Sequence, residues 1–403
     1  MKKTALAAAL AVFGLGASLP SHAAGMSDDV IRIGFIADMS GVYADIDGQA
    51  GADAIRMAIA DMGGEINGKK IELLTADHQN KADIASARAR DWFDTQQLDM
   101  LVGGTNSATA LSMAAVAAEK KKPFLAVGPG SSQLTNEKCT PYTVHYAYNT
   151  VALANGTGSA VVREGGKTWF FLTADYAFGH SLEQDTAAVV KKDGGKVLGA
   201  VRAPIATSDF SSFLLQAQSS GAQVLGLANA GGDFINSAKA ANEFGITKTM
   251  KLAGLLVFIN DIHALGLEST AGLYLTTPWY WNQSDDSRAW AKRFFDQHKR
   301  APSFLQAGDY SVAKNYLEAV KATGTDDGDT IMQYLKSHKI NDMFVKNGYV
   351  RKDGLMMHDM YLAQVKKPEQ SKAPWDYYNI VRTLPAESVY GPESESTCSL
   401  LKG

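Results

Sequence analysis

From residue 30 onward, short runs of β-branched and apolar residues alternate with stretches of helical periodicity. In the first helical stretch, Ala54, Met57, Ala58 and Met62 recur at helical spacing and form one apolar face. The predicted strands are 30–37, 70–76, 100–103 and 123–127, and the predicted helices are 49–62, 84–95 and 107–120. This alternation favours an α/β fold with a parallel sheet covered by helices on both faces.

The same pattern starts again after a predicted helix at residues 153–163. Strands at 168–173, 196–201, 223–228 and 251–255 alternate with helices at 178–192, 210–219 and 234–244. A long helical section at 287–336 and two strand-like segments at 360–366 and 377–381 follow. Because a chain of 403 residues exceeds what one hydrophobic core usually supports, we expect two lobes of similar size.

The N-terminus has the pattern of an export signal. Lys2 and Lys3 precede an apolar run, and Ser21-His22-Ala23 places small residues where a signal peptidase reads them. The apolar run, of about 15 residues, is shorter than the ~20 needed to cross a bilayer. No Cys follows the cleavage site to carry a lipid anchor. We therefore predict that residues 1–23 are a cleaved signal peptide and that the mature chain is periplasmic, without membrane insertion.

The chain has two cysteines, Cys139 and Cys398. In an oxidising compartment, an even number of cysteines favours a disulfide. We predict a bridge between them that fixes the C-terminal tail, and two free buried thiols are the alternative.

Charge and sequence motifs limit the function classes. The sequence has 39 Lys and Arg residues and 42 Asp and Glu residues, and it has no basic run that would suit a nucleic-acid backbone. Gly63 to Lys70 reads G-x-x-x-x-G-K, but Lys70 replaces the Ser or Thr that a P-loop needs, and a strand follows. The eight His residues lack metal-ligand spacing. We expect a binding protein rather than an enzyme, with neither cofactor nor metal and no nucleic-acid partner.

Two neighbouring strands of the first lobe are each followed by a turn of small and hydroxyl residues. Ligands of open α/β sheets bind beyond the carboxyl ends of the strands, where helix N-termini present N–H groups. One turn and helix start spans Gly103 to Thr109, and the other spans Gly128 to Ser132. The hydroxyls would hold an anion or, on the alternative interpretation, only cap helices. We predict an anion site formed by Thr105, Ser107, Gly130, Ser131 and Ser132.

Aromatic residues follow the first strand of each lobe. Tyr43 lies after the first strand of lobe one, and Tyr176 and Phe178 lie after the first strand of lobe two. Facing rings across a cleft suit an apolar or aromatic solute, although each ring alone would also suit packing. Asn229 and Leu255, at the ends of two further strands of lobe two, complete the predicted ligand site.

Three segments carry a family resemblance: Ile33-Gly34-Phe35 with Ser40-Gly41, Gly63 to Leu73, and Gly128 to Ser132. Together they resemble the type I periplasmic binding proteins of the branched-chain amino-acid ABC transporter family, the leucine/isoleucine/valine-binding protein group. The resemblance implies two Rossmann-like lobes joined by a three-stranded hinge. Lobe 1 would comprise residues 26–148 plus 279–358, lobe 2 residues 149–278 plus 359–385, and a C-terminal tail residues 386–403.

The resemblance also assigns roles to residues and names partners. It implies that Ser107, Gly130 and Ser132 hold the solute carboxylate, and that Tyr43 and Tyr176 form its aromatic wall. It further implies a monomer that delivers solute to the permease and ATPase subunits of an ABC importer. The alternative is a sensor that presents its ligand to a periplasmic receptor, because the same fold serves both functions.

One departure from the family concerns the solute ammonium. Amino-acid binders of this family usually place an acidic residue at the end of a lobe-two strand, but residues 253–258 read Ala-Gly-Leu-Leu-Val-Phe. An isolated ammonium would be costly to bury there. Asp175 or Asp233 would have to substitute. Our hypothesis is therefore an aromatic or branched aliphatic acid without an ammonium, and a branched-chain amino acid is the alternative.

Overall fold

A computed structural model describes residues 25–402, so the predicted signal peptide lies outside the described residues. The first lobe is built on a six-stranded sheet in the order β2-β3-β1-β4-β5-β6, parallel except for β2 at its edge. Its strands are β1 (Val30–Ala37), β2 (Glu65–Ile66), β3 (Lys69–Asp77), β4 (Met100–Gly103), β5 (Phe124–Ala126) and β6 (Thr143–His145). The helices between them are α1 (Gly48–Asp61), α2 (Ala82–Thr95) and α3 (Ser107–Lys120).

The second lobe contains a four-stranded parallel sheet in the order β10-β9-β7-β8. Its strands are β7 (Thr168–Ala174), β8 (Lys196–Ala203), β9 (Val224–Ala228) and β10 (Lys251–Gly254). Its helices are α4 (Thr150–Leu153), α5 (Ser159–Arg163), α6 (Ala177–Lys192), α7 (Ser211–Ser219), α8 (Gly231–Glu243), α9 (Ile259–Leu265) and α10 (Leu267–Thr270). A π-helical turn, Ala154–Gly158, joins α4 to α5. Gly156 allows this turn to approach the strand that begins at Tyr274, because a Cβ there would lie 2.1 Å from Thr276 Oγ1.

The rest of the chain returns to the first lobe and then to the second. It comprises β11 (Tyr274–Thr277), α11 (Asp285–His298), α12 (Phe304–Thr323), α13 (Gly328–Ser337), β12 (Tyr349–Val350), β13 (Met356–Met357), β14 (Met360–Val365), β15 (Tyr378–Leu384) and α14 (Ala386–Val389). Strands β11, β14 and β15 form a small antiparallel sheet. No helix within residues 25–402 is long and apolar enough to cross a membrane.

The predicted α/β fold is confirmed, and the larger predicted elements agree closely with the structure. Strands β1 and β4 and helix α3 have the predicted bounds. The predicted section 287–336 is divided into three helices because its sequence supplies caps. Lys299 and Gly324 adopt left-handed conformations that end α11 and α12. The Ser303 side chain accepts the N–H groups of Leu305 and Gln306 at the start of α12.

A disulfide joins Cys139 to Cys398 with a Cα–Cα distance of 5.7 Å. It holds the C-terminal tail against the first lobe, where the Ser396 hydroxyl donates to the Thr135 carbonyl at 2.9 Å. Most tail side chains are exposed, but Tyr390 and Cys398 are buried. The tail is therefore part of the folded surface rather than a free extension.

Replacing both cysteines, as Cys139→Ser with Cys398→Ser, is expected to lower the free energy of unfolding by up to ~5 kcal/mol. The physical reason is that the bridge spans 259 residues and restricts the unfolded chain. Urea unfolding followed by circular dichroism measures the change. A reductant should destabilise the wild type equally and leave the double variant unaffected. A double variant as stable as the oxidised wild type would contradict the prediction.

Candidate ligand-binding site

A small cavity lies between the two lobes, with free space of about 10 Å³, room for about one water molecule. The first lobe contributes Tyr43, Ile46, Thr105, Gly128, Tyr148 and Leu305, and the second contributes Tyr176, Phe178, Ala230, Leu256 and Phe258. Five of these side chains are aromatic, and none carries a formal charge at neutral pH. The polar groups on the wall are the Thr105 hydroxyl and the three tyrosine hydroxyls. The chemistry of this lining suits a small, largely apolar solute, for which the lobes would have to move apart.

The turn after β1 holds Tyr43 in the cavity wall. Asp38, at the end of β1, accepts the backbone N–H groups of Gly41 at 2.6 Å and Tyr43 at 3.0 Å. It also accepts a hydrogen bond from the Asn80 side chain at 2.7 Å. Gly41 is required because a Cβ there would lie 2.7 Å from an Asp38 carboxylate oxygen. The buried carboxylate therefore fixes the backbone that presents the Tyr43 ring.

Tyr43 and Tyr176 join the two lobes directly. Their hydroxyl oxygens are 2.5 Å apart. Burial raises the pKa of Tyr43 well above its usual value, and burial also raises the pKa of Tyr176. Both phenols are therefore protonated at neutral pH, so one hydroxyl donates and the other accepts. This bond spans the cleft beside the cavity.

Further hydrogen bonds close the edge of the cleft. Ser131 and Ser181 hydroxyls lie 2.7 Å apart, and the Ser132 hydroxyl donates to Asp185 at 3.0 Å. Ser181 and Asp185 both belong to α6 of the second lobe. Burial raises the pKa of Asp185, while its bonds to Thr150 and Ser132 oppose the shift. The two lobes are thus in contact across the cleft, which is a closed arrangement.

The structure brings four predicted site residues to the cavity wall: Tyr43, Thr105, Tyr176 and Phe178. Gly130 lies directly behind the wall, because a Cβ there would come within 2.8 Å of the Phe178 ring and 2.9 Å of the Tyr148 ring. A larger residue at position 130 would displace both rings.

The other predicted residues lie outside the cavity wall. Ser107 uses its hydroxyl oxygen to accept the N–H groups of Gly130 at 3.3 Å and Ser131 at 3.1 Å. It therefore organises the turn that supports the wall. Asn229 donates to the Ser237 hydroxyl at 3.0 Å, and Leu255 is fully buried.

Several wall residues were not predicted from the sequence. Tyr148 follows β6 and Phe258 follows β10, so the rule that ligands bind at strand ends would have indicated both. Leu305 has no such signal, because α12 reaches the cavity only through tertiary packing. Phe304, next to it, stacks on Phe258 with ring centroids 4.6 Å apart and meets Tyr148 edge-on at 5.4 Å. This ring supports the wall from behind and links the two lobes.

Thr105 lines the cavity and also contacts Asp47, one of two buried acidic residues, Asp47 and Asp309, that lie behind the wall. Gly128 lets the turns after β4 and β5 come together, because a Cβ there would lie 2.6 Å from the Thr105 Cα. The Thr105 hydroxyl donates to Asp47 at 2.5 Å. Burial raises the pKa of Asp47 to about 6, and burial together with Asp47 raises the pKa of Asp309. Within residues 25–402, no cluster of three or more His, Cys, Asp or Glu side chains is placed to hold a metal ion.

The family model named periplasmic binding protein matches residues 30–372. The chain belongs to the periplasmic binding protein family. The resemblance found in the sequence is therefore confirmed. Family membership implies a periplasmic location and makes this a solute-binding protein.

Three similar proteins place the chain within this family. A periplasmic binding protein from Burkholderia mallei is 65% identical, with a TM-score of 0.91, over 92% of this chain and 99% of that one. A branched chain amino acid ABC transporter periplasmic ligand-binding protein from Burkholderia xenovorans is 38% identical, with a TM-score of 0.81, over the same shares. A Leu/Ile/Val-binding protein homolog from Brucella abortus is 27% identical over 80% of this chain and 82% of its own length.

Tyr176→Phe is expected to shift the solute-free protein toward an open form. The variant loses the hydrogen bond to Tyr43 across the cleft, which contributes about 0.5–1.5 kcal/mol. Small-angle X-ray scattering should show a larger radius of gyration. Tyr148→Phe is the matched control, because its hydroxyl donates to the Gly128 carbonyl within the first lobe at 2.8 Å. Equal scattering changes in both variants would show that the Tyr43–Tyr176 bond does not hold the lobes closed.

Proposed function

We propose that this protein captures a small aromatic or branched aliphatic carboxylic acid for an ABC importer. The observation that carries the proposal is a cavity wall with five aromatic rings and no charged side chain. Apolar and aromatic walls favour a ring or branched chain, because its burial removes apolar surface from water. The name of the Burkholderia xenovorans relative supports a role in ABC transport.

The absence of an acidic wall residue argues against an ammonium group in the solute. Asp175 is exposed and pairs with His180 at 2.8 Å, away from the cavity wall. Asp233 is buried, does not line the cavity, and accepts the Ala206 backbone N–H at 3.1 Å. A buried ammonium without a partner is costly. The wall therefore favours an acid over an amino acid.

We assign the solute carboxylate to Thr105, at the N-terminal end of α3. Asn106 accepts the N–H groups of Ala108 at 2.8 Å and Thr109 at 3.3 Å, so the first turn of the helix is capped. Thr105 lies two residues before α3, and the positive end of the helix dipole favours a negative charge near it. Ser107 and Gly130 act indirectly by fixing the neighbouring turn.

Closure of the lobes completes the site. With the lobes divided at residues 148/149, 278/279 and 358/359, the solute docks first on the first-lobe turns. Tyr176, Phe178 and Phe258 then cover it and expel water. Contacts made only in the closed form, such as the Tyr43–Tyr176 bond, shift the equilibrium toward closure. The permease would recognise this closed form of a monomeric carrier.

A thermal-shift screen of the mature protein tests the proposed solute class. Aromatic and branched aliphatic acids are expected to raise Tm, because ligand at 100 times its Kd adds about 2.7 kcal/mol of stability. Leucine, valine, sugars and neutral amides serve as the comparison set. A response to leucine or valine alone would replace the acid with an amino acid, and no response from any member would overturn the carrier function.

Phe178→Leu is expected to discriminate between the two kinds of acid. The ring of Phe178 lies on the wall, 6.0 Å from the Tyr176 ring, so an aromatic solute loses a ring contact of about 0.5–1.5 kcal/mol. A branched aliphatic solute should lose less. Isothermal titration calorimetry measures both Kd values. Phe244→Leu, at a side chain 54% exposed and outside the cavity wall, is the control and should change neither. Equal losses for both acids would remove Phe178 from the ring contact.

A further inference from the structure

Two buried carboxyl groups meet behind Thr105. Asp47 precedes α1 and Asp309 lies within α12, and both are fully buried. A Cβ on Gly51 would lie 2.2 Å from one Asp47 oxygen and 2.6 Å from one Asp309 oxygen. The two carboxyl groups therefore share the space that the missing side chain of Gly51 leaves open.

Among residues 25–402, no Lys, Arg or His side chain forms an ion pair with either carboxyl group. One Asp47 oxygen accepts the Thr105 hydroxyl, and the remaining three carboxyl oxygens have no N–H or O–H donor. The titratable groups that face the pair from neighbouring elements are Asp38, at the end of β1, and the Tyr148 phenol. Neither brings a positive charge. Asp47 and Asp309 are in hydrogen-bond contact with each other, and two buried carboxylates in contact cannot both be ionised, so the pair must hold a proton.

The Thr105 hydroxyl has one hydrogen, and Asp47 determines where it goes. When Asp47 is ionised, Thr105 donates to Asp47 and turns only lone pairs toward the cavity. When Asp47 is protonated, its O–H donates to the Thr105 oxygen, and the threonine hydrogen becomes free for a solute oxygen. Protonation also removes a negative charge that lies one side chain away from the solute carboxylate.

We propose that the Asp47–Asp309 pair selects the charge of the solute at Thr105, and that binding of a carboxylate takes up one proton from solvent at Asp47. This inference rests on the proposed function, because it concerns the same cavity and the same solute carboxylate. It makes Asp47 and Asp309 positioning residues that act through Thr105. Burial raises the pKa of Asp47 to about 6, so the solute-free protein is mostly ionised at Asp47 at pH 8 and mostly neutral at pH 5. Affinity for a carboxylate therefore rises as pH falls.

Calorimetry of the full mature chain with benzoate and 3-methylbutanoate tests the inference. Carboxylic acids of ordinary pKa, near 4, remain largely ionised at pH 5.5, so the solute itself changes little between pH 5.5 and pH 8. We expect Kd to be about tenfold to a hundredfold higher at pH 8, because uptake of one proton changes Kd by at most about tenfold per pH unit. Titrations at pH 8 in two buffers of different ionisation enthalpy should show close to one proton taken up per solute bound.

Variants test whether Asp47, rather than another buried acidic residue, causes the pH dependence of Kd. Asp47→Asn is expected to bind either acid with one Kd across this pH range, because the amide can donate to Thr105 permanently. Asp233→Asn is the matched control, because burial also raises the pKa of Asp233 to about 6. It should retain the proton uptake. Thr105→Val should lose affinity at both pH values, and Thr105→Ser should restore the wild-type pH dependence.

The results tell failure of proton uptake at Asp47 apart from failure of the protein to bind carboxylic acids. Binding with the same Kd at pH 5.5 and 8, or without proton uptake by the wild type, overturns the inference and leaves the proposed function standing. If Asp233→Asn loses the pH dependence of Kd and Asp47→Asn keeps it, the inference is likewise overturned and the proposed function still stands. Failure of every acid to bind at pH 5.5 overturns both. The wild-type proton count needs no variant, so the test stands even if Asp47→Asn does not fold.

Discussion

Both parallel sheets direct the carboxyl ends of their strands to one cleft, and the rest of the structure depends on this convergence. Turns at four of these strand ends supply wall residues: Tyr43 after β1, Thr105 after β4, Tyr176 after β7 and Phe258 after β10. Parallel strands require helical crossovers, so all of these turns fall on the same edge of their sheet. The site is thus a consequence of topology, and the side chains decide what it binds.

Buried hydrogen bonds fix the positions of the turns that meet at the cleft. Asp38 holds the turn of Tyr43, Ser107 holds the turn of Gly130, and Asp47 holds the Thr105 hydroxyl. These polar groups are buried and could not be left without partners at low cost. Their role is to position the groups behind the wall, whereas the wall itself is mostly aromatic. The few direct bonds across the cleft, led by Tyr43–Tyr176, then give the closed form contacts that an open form lacks.

The sequence predicted the fold in detail because periodicity is a local property. Strands β1 and β4 and helix α3 were located to the residue, since apolar runs and caps report burial directly. Short strands such as β2 and β12 were missed, because two residues carry no periodic signal. In the site, the strand-end rule found Tyr43, Thr105, Tyr176 and Phe178 but could not tell a wall residue from one that organises a turn, such as Ser107.

The sequence by itself determined the α/β architecture, the membership of a binding-protein family, and the turns that face the cleft. Only the tertiary structure decided which side chains of those turns reach the cavity, and which hydroxyls are already occupied by neighbouring backbone. It also brought Asp47 and Asp309, 262 positions apart in the chain, together over Gly51. The physical reason is that contacts between distant segments depend on how helices and sheets pack, and a single sequence holds no periodic signal for such pairs.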